Sequence, residues 1–370
     1  MNSYSDGKSG ADKAFIEIFK RIKNINVTVV TSKLGKQLCE KEKMPSNYII
    51  TTKETEFNHV RLIYFRRIIQ AVLLILNVGR FDIIYSTSDA LADVLPAFIF
   101  KVRNGLKPVV TKVVWVQKIF HLIPKERKLS HLAQEISFTI SKRFADVIIV
   151  DNKLLKEELI IQDFPNNKIK VNHLGVDHEF FRKIPAANKK VDATFLGRLH
   201  ESKGIFDLIK IWKIVTEKIP YAKLVIVGQG SKKTVEKLRE HIETSKMQNN
   251  ITLAGYLEDK AAFSLIKSSK VFLFPSYEEG FGMIIAEVMA LGIPIAAYDL
   301  PVYKDTFKSA MKTVPVGRTD LFADAVLELL SDPKMRRTLT NKANDVIKRF
   351  AWELTVKKEE ELMNKKLALI

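Results

Sequence analysis

Short apolar runs alternate with longer amphipathic stretches along almost the whole chain. Runs at 26–31, 48–52, 81–86, 109–116, 147–151 and 169–174 are apolar on both faces. A second series follows at 193–197, 223–228, 251–254, 271–274, 294–298 and 313–316. Strands apolar on both faces belong in parallel sheets covered on both sides by helices. Stretches such as 12–23, 154–161, 204–218, 232–245 and 261–267 carry the helical period between them. Repeated strand-then-helix order predicts an α/β protein built from two doubly wound units in tandem. The segment 175–191 is polar, contains Pro185 and has no clear period, so the boundary is expected there.

One string concentrates candidate chemistry. Phe274-Pro-Ser-Tyr-Glu-Glu-Gly-Phe-Gly-Met-Ile-Ile-Ala-Glu287 ends a predicted strand, turns on Gly280 and Gly282, and opens a predicted helix at 283–291. Gly292 stops that helix and Pro294 prevents its continuation. A strand, a glycine turn and a helix N-terminus make a place where backbone N–H groups and the helix dipole meet an anion. Glu279 and Glu287 add two acceptors for hydroxyl groups. Eight helical residues rise about 12 Å, so the pair reads as two grips on one long ligand. An acid and a base at one glycosidic bond sit roughly 5–9 Å apart. A ligand with both phosphates and hydroxyls, such as a sugar nucleotide, fits this string. The plain alternative is an ordinary strand–turn–helix with solvated glutamates.

Leu196-Gly-Arg-Leu-His-Glu-Ser-Lys-Gly204 leaves the first strand of the second series and places Arg198 and Lys203 before a helix. Two cations at a strand end are suited to neutralising a diphosphate, where charge builds as a sugar–phosphate bond breaks. Val225-Ile-Val-Gly-Gln-Gly230 is another strand ending in glycines, but Lys233 stands where a dinucleotide fingerprint needs its third Gly. Gly228 is therefore read as a close backbone approach to a ligand or its neighbouring loop.

These strings resemble glycosyltransferase family 4, the retaining nucleotide-sugar transferases of the two-domain GT-B fold. Glu279, Gly280, Phe281, Gly282, Glu287, Ala290, Gly292 and Pro294 match its glutamate, seven residues, glutamate pattern. Arg198 and Lys203 match its second string. The resemblance implies that Arg198 and Lys203 hold the donor diphosphate, Glu279 meets the donor sugar and Glu287 grips the ribose. It also places Tyr256 and Leu257 near the nucleotide base, His121 near the donor sugar, and Gly10 in a loop that approaches the phosphates. It implies an acceptor-binding unit at 1–177, a nucleotide-sugar unit at 178–349, and a last helix at 350–370 that returns to the first unit. The family's opening strand has no counterpart before Gly7-Lys-Ser-Gly10; a missing upstream segment is the favoured explanation, beside a rearranged sheet or a degraded paralogue. Without that central strand, neighbouring edges are left unpaired around an apolar gap. A single Gly10 stands where the family has two.

Composition narrows the reading. With 46% hydrophobic and 28% charged residues, the chain of 370 is globular. Cys39 is the only cysteine, so no intrachain disulfide forms, which suits a reducing compartment. The seven histidines show no metal spacing, and the expectation is a metal-independent transferase that needs no cofactor beyond its donor. A formal charge of +18 favours an anionic partner. Lys101, Arg103, Lys107, Lys112, Lys118, Lys125, Arg127 and Lys128 are interleaved with Phe98, Leu106 and Phe120 in one stretch. That pattern suits an anionic membrane surface as well as a plain basic face. No nucleic-acid signature accompanies the charge. The resulting expectation is a cytoplasmic hexosyltransferase, peripheral at the inner membrane face, acting on a glycan or lipid-linked acceptor. A sugar-nucleotide epimerase or phosphorylase on the same fold, or a non-catalytic anion-binding paralogue, are the rival readings.

Overall fold

The computed structural model describes residues 10–52, 60–105, 113–188 and 190–368. It divides into two compact units, one of residues 1–175 with 352–370 and the other of 176–351. Gly7, Leu106, Lys107 and Lys112, named above, lie outside the described residues.

The first unit runs α1 (Gly10–Phe19), β1 (Thr28–Thr31), α2 (Lys33–Lys41), β2 (Asn47–Ile50), α3 (Val60–Asn77), β3 (Ile83–Ser86), α4 (Leu91–Gly105), β4 (Val114–Ile119), α5 (Lys128–Phe144), β5 (Val147–Val150), α6 (Lys153–Ile161) and β6 (Ile169–Val171). Its strands pair in parallel but form two sheets, β1-β2 and β3-β4-β5-β6. Trp115, Ile119, Phe138, Ile148, Val150 and Phe164 build the core around the larger sheet. Between the two sheets lies a cavity of about 190 Å³ lined by both β1 and β3.

The second unit runs α7 (His178–Lys183), β7 (Val191–Leu196), α8 (Ile205–Lys218), β8 (Leu224–Val227), α9 (Lys232–Thr244), β9 (Ile251–Gly255), α10 (Asp259–Lys267), β10 (Ser269–Phe274), α11 (Met283–Leu291), β11 (Ile295–Tyr298), α12 (Pro301–Thr306), β12 (Lys312–Val314), α13 (Thr319–Ser331) and α14 (Pro333–Ile347). All six strands pair in parallel in the order β12-β11-β10-β7-β8-β9. The chain starts in the middle at β7, builds outward through β8 and β9, then returns to lay β10 on the other side of β7. The strand order thus reverses between β7 and β10. In open α/β sheets, that crevice beyond the strand ends is where ligands bind.

The last helix, α15 (Trp352–Leu367), belongs to the first unit. Trp352 is fully buried and packs so closely on Gly175 that a Cβ there would sit 2.6 Å from it. Further along the helix, Glu359 is buried at 0% side-chain exposure and pairs with Lys118, itself at 1%, over 2.6 Å. The Tyr85 hydroxyl donates to the other oxygen of Glu359 at 2.7 Å, and the Asn172 side chain donates to Glu359 and to the Thr355 carbonyl. Burial, then the charge of Glu359, pushes the Tyr85 phenol well above its ordinary value and keeps it a donor.

This ion pair corrects two expectations. The strand read at 109–116 runs instead from Val114 to Ile119, buried throughout. Polar Gln117 and Lys118 look like the end of a strand, yet both are internal because partners await them. Lys118 is accordingly not part of a basic surface. Lys101 is likewise engaged, by Asp146.

Removing one partner of a buried pair leaves an uncompensated charge and costs about 3–5 kcal/mol. Glu359→Ala is therefore expected to destabilise the first unit by about that amount in denaturant unfolding. Lys118→Met combined with Glu359→Leu is expected to recover most of the loss.

Asp151 offers a pH test. Burial pushes its carboxyl up to about 7, against an opposing pull from Lys118. A raised acid pKa means that the folded state binds the extra proton. Ionising Asp151 therefore costs stability progressively as pH rises from about 4 through 7. Asp151→Asn is expected to gain on the wild type over that interval, by on the order of a few kcal/mol at most. Thermal unfolding at pH 4.5 and at pH 8 measures the difference.

Candidate functional site

Three adjacent loops of the second unit are bound edge to edge where β7, β8 and β9 end. Gly197 N–H donates to the Val227 carbonyl, Leu199 N–H to Gln229 and Gly228 N–H to Gly255. Gly228 has φ +148°, and a Cβ there would sit 1.8 Å from the Gly197 oxygen. Only glycine allows this approach. Gly204, at φ +67°, plays the same part against the Pro275 carbonyl, which a Cβ would meet at 1.9 Å. Gly204 thus lets the loop after β7 close onto the loop after β10.

An ion pair crosses between those two loops. Lys203 ends a short 3₁₀ turn, Glu201–Lys203. Its ammonium donates to Glu279 Oε1 at 2.7 Å and to the Glu278 carbonyl at 3.0 Å. Both side chains are mostly buried, at 18% and 13% exposure. Ser276, fully buried, donates to Glu279 Oε1 within 3.1 Å and also reaches the Ser202 and Glu278 carbonyls. Tyr277 N–H donates to the Ser202 carbonyl at 2.8 Å. Arg198, in the loop just past β7, is exposed and makes no ion pair among the described residues. The structure therefore brings Arg198, Lys203, Glu279 and Gly228 to one end of one sheet, at the reversal of strand order.

The glycine turn that opens α11 is held from below. Phe281 is buried and meets Phe307 and Phe350 edge-on at 5.7 and 5.5 Å. Its side chain is a wedge of the core, so only its backbone is available to a ligand. Gly282 caps the helix at φ +86° with Tyr303 and Phe307 against it. Gly280 completes the turn, half-buried. Glu287 lies one turn into α11 and is buried. Tyr256 is half-exposed just beyond β9, whereas Leu257 packs onto the small cluster of Val225, Val227 and Ala262. Gly10 and His121 sit in the first unit, Gly10 at the start of α1 and His121 exposed beyond β4.

Several residues without a sequence signal complete the picture. Asp207, in the first turn of α8, accepts hydrogen bonds from the Tyr277 and Tyr298 hydroxyls. Burial, then Asp207, pushes the Tyr277 phenol up to about 12, so it stays a donor. This trio pins α8 to the loop after β10 and so fixes Lys203 against Glu279. Tyr303 is buried next to Glu279, and its hydroxyl has no hydrogen-bond partner among the described residues. In the first unit, buried Asp89 accepts from Gln134 at 2.6 Å, and the same amide donates to the His121 carbonyl at 2.9 Å. Burial raises the Asp89 carboxyl, and Gln134 and His121 oppose the shift. That shelf fixes the backbone at His121. Among the described residues no three of His, Cys, Asp and Glu converge as a metal-binding group.

Residues 176–346 match the family model for glycosyl transferases group 1. An uncharacterised glycosyltransferase of Methanocaldococcus jannaschii is 30% identical over 230 residues, covering 57% of this chain and 53% of that protein. The capsular polysaccharide biosynthesis glycosyltransferase CapM of Staphylococcus aureus is 26% identical over 235 residues, covering 59% and 61%. The chain thus spans little more than half the length of these relatives. The crystal structure of Anabaena HepE in complex with UDP and glucose superposes with a TM-score of 0.80 at 16% identity, covering 98% of each chain. The likeness establishes the architecture: two Rossmann-like α/β domains of the GT-B fold, the second carrying the glycosyl transferases group 1 match.

Proposed function

We propose that this protein is a retaining glycosyltransferase that moves a hexose from a nucleoside diphosphate sugar, a UDP-sugar by its likeness to the HepE complex, to an acceptor hydroxyl. The observation that carries the proposal is the Lys203–Glu279 contact at the strand-order reversal. It sets a cation and a hydroxyl-accepting carboxylate side by side where an α/β sheet takes its ligand.

The roles follow from charge and reach. Departure of the nucleotide builds negative charge on the diphosphate. Arg198 and Lys203, with the positive end of the α11 dipole, oppose that charge where it forms. They do so without requiring a metal ion. Glu279, held by Lys203 and Ser276, accepts hydrogen bonds from sugar hydroxyls and orients the ring. Glu287 accepts from the ribose, and Gly228, Gly280 and Gly282 let backbone approach the ligand. Tyr256 offers a face to the base. No side chain is assigned as a covalent nucleophile. The acceptor hydroxyl attacks from the face that the nucleotide leaves, and a phosphate oxygen takes its proton. The roles of Gly10 and His121 rest on family resemblance alone.

A surface feature favours a glycan or lipid-linked acceptor held at an anionic membrane face. On α5, Leu129, Leu132 and Ile136 are exposed at 70%, 58% and 44%. They recur at helical spacing on one face. Lys125 and Lys128 are exposed just before them. Apolar side chains beside cations are what an anionic membrane surface takes up. No helix among the described residues is long and apolar enough to cross a membrane. In this proposal the association is peripheral, at the cytoplasmic face where nucleotide sugars are found.

Arg198→Ala and Lys203→Ala are each expected to lower turnover of a labelled UDP-sugar by about 10²–10³-fold. Activity is expected to persist in a chelator, and the new linkage to keep the donor's anomeric configuration by NMR. Unchanged turnover in both variants contradicts the roles assigned to the two cations. An epimerised donor or a sugar phosphate as the labelled product contradicts the reaction.

Replacing Leu129, Leu132 and Ile136 together with Ser is expected to abolish sedimentation with phosphatidylserine-containing vesicles while leaving turnover of a soluble acceptor unchanged. Equal sedimentation of wild type and variant removes the membrane reading.

A further inference from the structure

Hydrogen-bond donors reach Glu279 on one side only. Its Oε1 accepts from Lys203 at 2.7 Å and from Ser276 at 3.1 Å, while Oε2 accepts no hydrogen bond among the described residues. A mostly buried carboxylate gains from every further donor within reach.

An unused donor lies beneath the same turn. Tyr303, on α12, is fully buried. Its ring lies against Gly282, where a Cβ would sit 3.4 Å from its Cε1. Its hydroxyl has no hydrogen-bond partner among the described residues. Burial, then the charge of Glu279, pushes the phenol well above its ordinary value, so it stays protonated. A buried hydroxyl without a partner is destabilising, and folded proteins keep few of them. One that is retained within the field of a carboxylate is explained if its bond forms in a second state of the site.

Lys203 supplies the reason for a second state. Its ammonium is divided between Glu279 Oε1 and the Glu278 carbonyl. A diphosphate carries more charge than one carboxylate, so its arrival draws the ammonium away from Glu279. Glu279 is then left with Ser276 alone, in surroundings where an underserved carboxylate is costly.

We propose, on the donor role assigned to Lys203 above, that Tyr303 is a positioning residue of the nucleotide-sugar site: when the diphosphate takes over Lys203, the Tyr303 hydroxyl donates to Glu279 in its place. The exchange keeps two donors on Glu279 in both states. The carboxylate stays ordered for sugar hydroxyls while the cation turns to the phosphates. The hydroxyl is unpaired in one state and bonded in the other, and a ligand's affinity gains from such a difference between states.

Calorimetry of the full chain with UDP and with UDP-glucose tests the exchange. Tyr303→Phe keeps the ring and removes the hydroxyl. It is expected to bind both compounds at least about tenfold more weakly than the wild type. The Tm of the unliganded variant is expected to be no lower than that of the wild type. Thr306→Val removes the other buried, unpartnered hydroxyl of α12 and is expected to keep wild-type affinity. In a Glu279→Ala background, Tyr303→Phe is expected to cost nothing further, because the partner is gone. Undiminished binding by Tyr303→Phe, beside normal binding by the wild type, overturns the exchange and leaves the donor reading standing. Failure of the wild type to bind either compound overturns both. A loss confined to UDP-glucose makes Tyr303 a direct sugar contact and overturns the exchange. So does a lowered Tm of unliganded Tyr303→Phe, which shows the hydroxyl already bonded. An equal loss in Thr306→Val, or a full loss in the Glu279→Ala background, reduces the effect to loosening of α12 and also overturns it.

Discussion

The second unit's site depends on two loops being held together across the reversal of strand order. Lys203 and Glu279 are 76 positions apart and meet only because β7 and β10 are neighbours. Their contact is possible because Gly204 has no Cβ to strike the Pro275 carbonyl. It is kept in place by Asp207, whose carboxylate collects two tyrosine hydroxyls from the loop after β10 and from the end of β11. A lysine and a glutamate in mostly buried surroundings attract strongly enough to stay ordered without a ligand. That leaves exposed Arg198 as the cation most available to an arriving anion, with Lys203 already oriented beside the Glu279 carboxylate. Such a division of labour lowers the ordering cost of binding, since only one long side chain remains to be immobilised.

The two units solve the same packing problem differently. In the second, six parallel strands form one uninterrupted sheet, and its centre is where the strand order reverses. In the first, the sheet is in two pieces, and the piece carrying β4 is tied down by a helix from the far end of the chain. The Lys118–Glu359 pair is costly to bury but specific in what it joins. With Tyr85, Asn172 and Thr355 it satisfies polar groups on β3 and β4, just past β6 and on α15 together. Chain order therefore says little about which residues stabilise the first unit, because residues 352–367 do much of it.

Local patterns in the sequence located most elements of the second unit to within a residue or two. The runs at 223–228, 251–254 and 294–298 became β8, β9 and β11 with small changes at their ends. Apolar runs bounded by glycine or proline are legible because their periodicity and their stops are both local. The candidate string around Glu279 was legible for the same reason. What pairs with what was not. The order of strands is a property of the whole sheet, so nothing in the residues near Lys203 or Glu279 announces that they touch. Asp207, an acidic residue in a first helical turn, and Tyr277, a loop aromatic still 44% exposed, carry no local mark of the hydrogen bond that joins them. Phe281, inside the signature turn, proved to be core, because its side chain faces Phe307 and Phe350, which lie far along the chain. Strand β4 was misplaced because a buried lysine reads as a surface residue until its partner, 241 positions away, is known.

A formal +18 describes composition; internal ion pairs leave that total unchanged and decide only which cations remain at the surface. Lys118 is sealed inside the first unit, Lys101 is engaged by Asp146, and Lys203 is committed to Glu279. These are three of the residues that invited an anionic reading of the sequence. The cations left exposed near α5, Lys125 and Lys128, acquire their meaning from the apolar stripe they adjoin rather than from their number. A phosphate-binding crevice and a membrane-facing surface both need positive charge, but they need it differently. The crevice takes few, oriented cations in partly buried positions, where the field is strong. The surface takes mobile, solvated cations, each worth about 1 kcal/mol beside an anionic lipid layer. Lys203, mostly buried against Glu279, fits the first description; exposed Arg198 and the lysines at the start of α5 have the solvent contact of the second.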